Sequence, residues 1–167
     1  MSPIRIIGVG SPFGQDRYGW QAVDALRDSD LLRHYPDGLV SLHRCDRPGM
    51  DLLNVMRGAD GVIIIDAVQS AADPDTLHCL DVQDPIVEHG LLSSHGFGVA
   101  ATLELGRVLG DLPQHIRIVG IETDPDCTSC TPLSSALIKD IPILINIEIN
   151  KINNNINLFS RQDALSD

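Results

Sequence analysis

The sequence predicts an α/β fold of three layers, α/β/α, around a mostly parallel twisted sheet of about five strands with helices on both faces. Three observations predict it. Residues 61–65 read Gly-Val-Ile-Ile-Ile, apolar at consecutive positions, as a central strand covered on both faces requires. Residues 4–9, Ile-Arg-Ile-Ile-Gly-Val, give another buried strand that runs straight into a glycine-rich turn. Strand-like and helix-like segments then alternate β-α-β-α-β and β-α-β, the order of parallel strands joined by helical crossovers.

After the opening strand, apolar residues recur at Trp20, Val23, Ala25, Leu26 and Leu31, which predicts an amphipathic helix from Gly19 to about Leu32. Residues 39–44 form the second strand, and Met50 to Met56 a short helix introduced by Pro48-Gly49. Residues 69–75 make a polar turn, and Thr76 to Val82 a strand at an edge. A helix is expected over His95 to Leu109, with Ser93-Ser94 suited to capping its start. Ile116 to Ile121 closes the sheet. Pro132 to Leu137 starts a further helix that Pro142 interrupts. From there the composition turns abruptly to Ile and Asn. The expectation is a single α/β domain over residues 1–140 and an atypical segment over 141–167, whose alternating isoleucines at 143–157 favour strand over helix.

The chain has 167 residues and 43% hydrophobic residues, enough for one domain with its own core. Aromatics are only 4%, so that core is aliphatic. A net charge of −11 without a basic block disfavours nucleic acid and anionic membranes as partners. No apolar run is long enough for a membrane span, and the N-terminus lacks the pattern of a secretory signal, so a cytoplasmic location is expected. Of the cysteines Cys45, Cys79, Cys127 and Cys130, only Cys127-Thr-Ser-Cys130 has a motif-like spacing. It lacks the second pair of a structural zinc site and reads as free thiols.

In a parallel α/β sheet, ligands collect outside the carboxyl ends of the strands, where the strand order reverses. Three segments bring polar side chains there. The first strand ends in Gly8-Val9-Gly10-Ser11-Pro12-Phe13-Gly14-Gln15-Asp16, the central strand in Ile65-Asp66-Ala67, and His95 stands at a helix start between Ser94 and Gly96. The second strand adds Asp46. A carboxylate at the mouth of a buried strand needs hydrogen bonds, a cation or a raised pKa. Two carboxylates and an imidazole, Asp16, Asp66 and His95, suit a borderline divalent metal such as Ni²⁺ or Zn²⁺ and leave positions open for water or substrate.

These segments resemble, in order, the signature of the maturation proteases of nickel–iron hydrogenases. Gly8-Val9-Gly10, Asp16 and Gly19 resemble the family's N-terminal pattern. Asp46-Arg47-Pro48-Gly49-Met50-Asp51-Leu52-Leu53 resembles its second-strand turn and the helix after it. Ile63-Ile64-Ile65-Asp66-Ala67-Val68 resembles its central strand, Ser93-Ser94-His95-Gly96-Phe97-Gly98-Val99 its S-x-H helix start, and Val119-Gly120-Ile121-Glu122 its last strand. Thr131-Pro132-Leu133-Ser134 is similar to the start of its final helix. Within this resemblance Ser11 stands where Asn is common, Gln15 replaces the first of an acidic pair, and Arg17 stands where a small residue is frequent.

The resemblance implies an endopeptidase, aspartic-type or metal-dependent, that removes the C-terminal extension of a nickel–iron hydrogenase large-subunit precursor after nickel insertion. It places Asp16, Asp66 and His95 in contact with nickel supplied by the substrate, a position that Zn or Cd could occupy as a surrogate. Asp46 would support them through hydrogen bonding or as a general base. The partner is the precursor, and the protein itself is expected to be a monomer. Two other readings remain open on the sequence alone. The Gly8-Val9-Gly10 turn invites a Rossmann-like nucleotide-binding module, although Gly14 gives G-x-G-x-x-x-G rather than G-x-G-x-x-G. A non-catalytic assembly chaperone of a metallo-enzyme would bind the precursor without cleaving it.

Overall fold

Strand β1 (Ile4–Gly10) sends Ile4 and Ile6 to one face of the sheet and Ile7 and Val9 to the other. Strand β3 (Gly61–Val68) does the same with Ile63, Ile65 and Ala67 against Val62, Ile64 and Val68. Because side chains alternate with period two, an unbroken apolar run fills two separate cores at once. This is the physical content of the consecutive isoleucines. The computed structural model describes residues 3–82, 98–127 and 131–163, with side chains to residue 158. His95 and Cys130 lie outside the described residues.

The described strands are completed by β2 (Val40–Asp46), β4 (Leu77–Asp81) and β5 (His115–Glu122), in the order β2-β1-β3-β5-β4. All neighbours are parallel except β4, which runs antiparallel along β5 at the edge. Helices α1 (Tyr18–Asp28) and α4 (Ser135–Asp163) cover the face carrying Ile4, Ile6, Ile63 and Ile65. Helices α2 (Met50–Met56) and α3 (Val99–Leu109) cover the face carrying Ile7, Val9, Val62 and Ile64. The expected three-layer α/β/α architecture is the one observed.

Several boundaries differ for physical reasons. β3 continues three residues beyond Ile65, because Asp66, Ala67 and Val68 stay in register with Gly120, Ile121 and Glu122 of β5. The first helix ends at Asp28, and a separate 3-10 turn, Leu31–His34, comes after it. The helix expected over His95 to Leu109 begins only at Val99, because Gly98 is extended and forms its N-cap; Ser93 and Ser94, expected to cap it, lie outside the described residues.

The largest difference is α4. The strand expected over 143–157 is helix, running continuously from Ser135 to Asp163 and through Pro142. Ile141, Ile145, Ile149 and Ile152 are fully buried, at helical spacing, while Ile143 and Ile147 face outward. The period-two run is thus a helical stripe with isoleucines added on its outer side. The helix descends from the carboxyl edge of the sheet, where Gln21 of α1 accepts a hydrogen bond from the Leu133 N–H (2.8 Å), to the start of β3, where Ile152 sits against Gly61.

Candidate functional site

The path from β1 to β2 passes over one face of the sheet and the path from β2 to β3 over the other, so the strand order reverses between β1 and β3. That crevice is where this architecture places ligands. The backbone ladder joining the two strands ends at Gly8 and Ile65. Beyond it the N-terminus of α1 is wedged between the strand tips. A Cβ on Gly19 would lie 2.0 Å from the Val9 carbonyl oxygen and 2.6 Å from that of Ile65. Only glycine permits so close an approach.

The wedge also fills the space above the glycine-rich turn. A Cβ on Gly8 would meet the Gly19 carbonyl oxygen at 2.1 Å, and one on Gly10 the Asp16 carbonyl oxygen at 2.5 Å. These glycines serve close packing of the chain on itself. They leave no cradle for a pyrophosphate, and the first turn beyond them carries an acid. The nucleotide reading loses its physical basis here.

Asp16 lies in a 3-10 turn, Gly14–Arg17, between β1 and α1, and is half-buried. Ser11 holds it by two hydrogen bonds, from its hydroxyl to Asp16 Oδ2 (3.1 Å) and from its N–H to the Asp16 carbonyl (3.2 Å). The turn packs against β3, the strand of Asp66. Asp66 stands inside β3 rather than at its mouth, and is only 2% exposed. Its Oδ1 accepts a hydrogen bond from the Ala67 N–H (2.9 Å). By alternation its side chain points to the α2–α3 face, and the first residue of α3, Val99, is buried on that same face. His95 precedes Val99 by four positions in the chain and lies outside the described residues. The fold therefore sets Asp16 and Asp66 on touching segments of the crevice.

Asp46 ends β2 in register with Gly10, at the same edge. It is exposed and pairs loosely with Arg47 (3.7 Å). Cys45 beside it is buried, and burial together with Asp51 and Asp46 pushes its thiol up to about 11. At neutral pH it is a protonated thiol, unsuited to nucleophilic attack. Among the described residues, no group of three or more His, Cys, Asp or Glu side chains is arranged to hold a metal ion.

One polar cluster has no signal in the sequence. Glu122, at the end of β5 and 2% exposed, accepts hydrogen bonds from the Ser70 N–H (2.7 Å) and the Ser70 hydroxyl (2.7 Å). Its Oε2 also lies 2.8 Å from His78 Nε2. Burial pushes the Glu122 pKa up, but the hydrogen bonds from Ser70 and the contact with His78 outweigh it and hold the carboxyl below its usual range. His78 stands opposite Gly120 on the β4–β5 ladder, two residues before Glu122 on the same face of β5. The Ser-His-Glu composition does not make a charge-relay triad. The same imidazole nitrogen faces both partners, at 3.4 Å from Ser70 Oγ, and Ser70 donates directly to the acid. Gln15 is the other residue whose part emerges only in the fold: its Oε1 accepts a hydrogen bond from the Asp124 N–H (2.9 Å).

Comparison with known proteins agrees with this fold. A family model described as hydrogenase maturation protease matches residues 47–151. The hydrogenase 2 maturation protease of Escherichia coli K12 is 30% identical over 141 residues, covering 81% of this chain and 84% of that protein. The hydrogenase expression/formation protein HupD of Thiocapsa roseopersicina is 30% identical over 125 residues, 71% of this chain. The match spans 53% of that protein, about half its length. Among solved structures, an endopeptidase from Escherichia coli superposes with a TM-score of 0.71 at 25% identity, covering 89% of this chain and 93% of the other. The hydrogenase maturating endopeptidase HybD from Escherichia coli gives 0.68 at 24%, over 86% and 89%, and shares the fold.

Proposed function

This chain belongs to the hydrogenase maturation protease family, a family of peptidases, and from that premise we propose that it removes the C-terminal extension of a nickel–iron hydrogenase large-subunit precursor once nickel has been inserted. The observation that carries the reading is the placement of Asp16 and Asp66 on touching segments at the crevice between β1 and β3. Carboxylate oxygens are suitable donors for a divalent cation, and an imidazole from His95 would complete a set fit for nickel. Such a set binds a free ion weakly and a partly coordinated ion better. Nickel therefore belongs to the substrate, already held by it, and serves recognition. Zn or Cd could stand in for it.

The residues of this chain then have separate tasks. Asp16 and Asp66 grip the substrate-held ion and orient the adjoining peptide bond. Asp46, exposed at the same edge, lends hydrogen bonds or accepts a proton. The acidic surface disfavours nucleic acid, and no helix among the described residues is long and apolar enough to cross a membrane. The proposed setting is the cytoplasm, with the protein acting as a monomer on one precursor molecule.

The test is cleavage of nickel-loaded precursor, read by intact mass. Asp16→Ala, Asp66→Ala and His95→Ala should each slow cleavage by about 100-fold or more, the loss expected when a group that orients the reacting bond is removed. Parental rates in all of them would sink the assignment. Binding of the precursor with no change in its mass would favour the chaperone reading instead.

A further inference from the structure

The ladder between β1 and β3 ends at Gly8 and Ile65, one residue short of Asp66 and eight short of Asp16. Past that point α1 pushes between the two strands. A further set of contacts, from the end of β5, also spans the two acid-bearing segments. The β3–β5 ladder continues three residues further, to Val68 and Glu122. The exit of β5 then grips both acid-bearing segments in three successive residues. Glu122 takes two hydrogen bonds from Ser70, and Thr123 gives two to the Val68 carbonyl, from its N–H (2.9 Å) and its hydroxyl (3.1 Å). Asp124 gives its N–H to Gln15. Val68 and Ser70 come two and four positions after Asp66, and Gln15 immediately precedes Asp16.

We propose that Glu122-Thr123-Asp124 is a positioning bracket, and that Gln15 and Glu122 are positioning residues that set the separation of the Asp16 and Asp66 carboxylates. The proposal rests on the reading that these two acids grip a substrate-held ion. It explains why an amide serves at position 15. The bracket needs an acceptor there for a backbone N–H, which a carboxylate or an amide oxygen supplies equally. Gln15 supplies it without a further negative charge beside Asp16 and Asp124. It also gives the buried Glu122 a task beyond closing the edge of the sheet. Its grip on Ser70 fixes the course of the chain just after Asp66.

The experiment compares Gln15→Leu, which removes the acceptor at similar size, with Gln15→Glu, which restores it. On nickel-loaded precursor, well below either melting temperature, Gln15→Leu should lower kcat/KM by about tenfold to 100-fold, as a displacement on the order of 1 Å does. Gln15→Glu should recover most of that loss. A crystal structure of Gln15→Leu alone should show the Asp16 carboxylate displaced relative to Asp66. Three results would each overturn the bracket: parental kcat/KM for Gln15→Leu, no recovery with Gln15→Glu, or unmoved carboxylates in the crystal. If the parental protein cleaves nothing, the proposed function fails. The crystal comparison still decides whether the bracket sets the spacing.

Discussion

Glu122 is a carboxylate that the fold both buries and keeps charged, because Ser70 and His78 supply the hydrogen bonds that water would give. Its folded pKa lies below the ordinary glutamate value of 4.5, so the unfolded chain binds the proton more readily. The stability it contributes is therefore present in full above the unfolded value and is lost as pH falls through the folded one. Glu122→Ala should cost about 1–3 kcal/mol at neutral pH, since it takes the acceptor from two half-buried donors of Ser70. Glu122→Gln should flatten the fall in stability below pH about 4.5; urea unfolding across pH reads both. Asp66 is legible in the sequence because it comes directly after an apolar run, and Asp16 because it sits in the glycine-rich loop that ends another. Gln15, Ser70, His78 and Glu122 are not. Their partners lie 109, 52 and 44 positions away, and only the β1-β3-β5-β4 order brings them together. Ser11, a departure from the family pattern, holds Asp16 with its hydroxyl.

At the scale of elements, the strands are readable in the sequence and the last helix is not. An apolar run of five consecutive residues has one economical place in an α/β protein, between two helical layers. The run from Ile141 to Ile156 has two. Its isoleucines satisfy an alternating pattern at 143, 145, 147 and 149 and a helical one at 141, 145, 149 and 152. β-branched side chains and Pro142 weigh against helix locally, and tertiary burial overrides them. Pro142 lacks the N–H that would bond the Ile138 carbonyl, and the helix absorbs that loss. The two patterns predict opposite mutational behaviour. Ile145→Ala removes a fully buried side chain and should cost about 2–5 kcal/mol. Ile147→Ala, at 45% exposure, should change stability by less than about 0.5 kcal/mol. Equal losses in chemical denaturation would contradict the helical stripe.

For the whole molecule, the question is whether residues 1–140 can stand without the Ile/Asn-rich part of α4. The face covered by α1 and α4 is closed by Ile141, Ile145, Ile149 and Ile152, which share one core with Ile4, Ile63, Ile65 and Ile121. Four such side chains, at about 1.5–3 kcal/mol each, amount to about 6–12 kcal/mol. That is comparable to the entire stability of an ordinary domain, about 5–15 kcal/mol. The helix is also fastened electrostatically. Glu148, 1% exposed, takes hydrogen bonds from Arg117 of β5 (2.7 Å) and from Lys151 (2.7 Å), and Arg117 reaches on to Asp81 of β4 (2.9 Å). Removing the helix would take from Arg117 its buried partner and leave it beside an uncovered strand. A chain ending at Asp140 should therefore lose its cooperative melting transition and bind the dye ANS. The full chain should melt in one step and leave the dye dark. A truncated chain that melts cooperatively near the parental temperature would mean that the first 140 residues form a sufficient core. In that case the Ile/Asn-rich helix would be an addition to the fold, and α1 alone would have to cover β1 and β3.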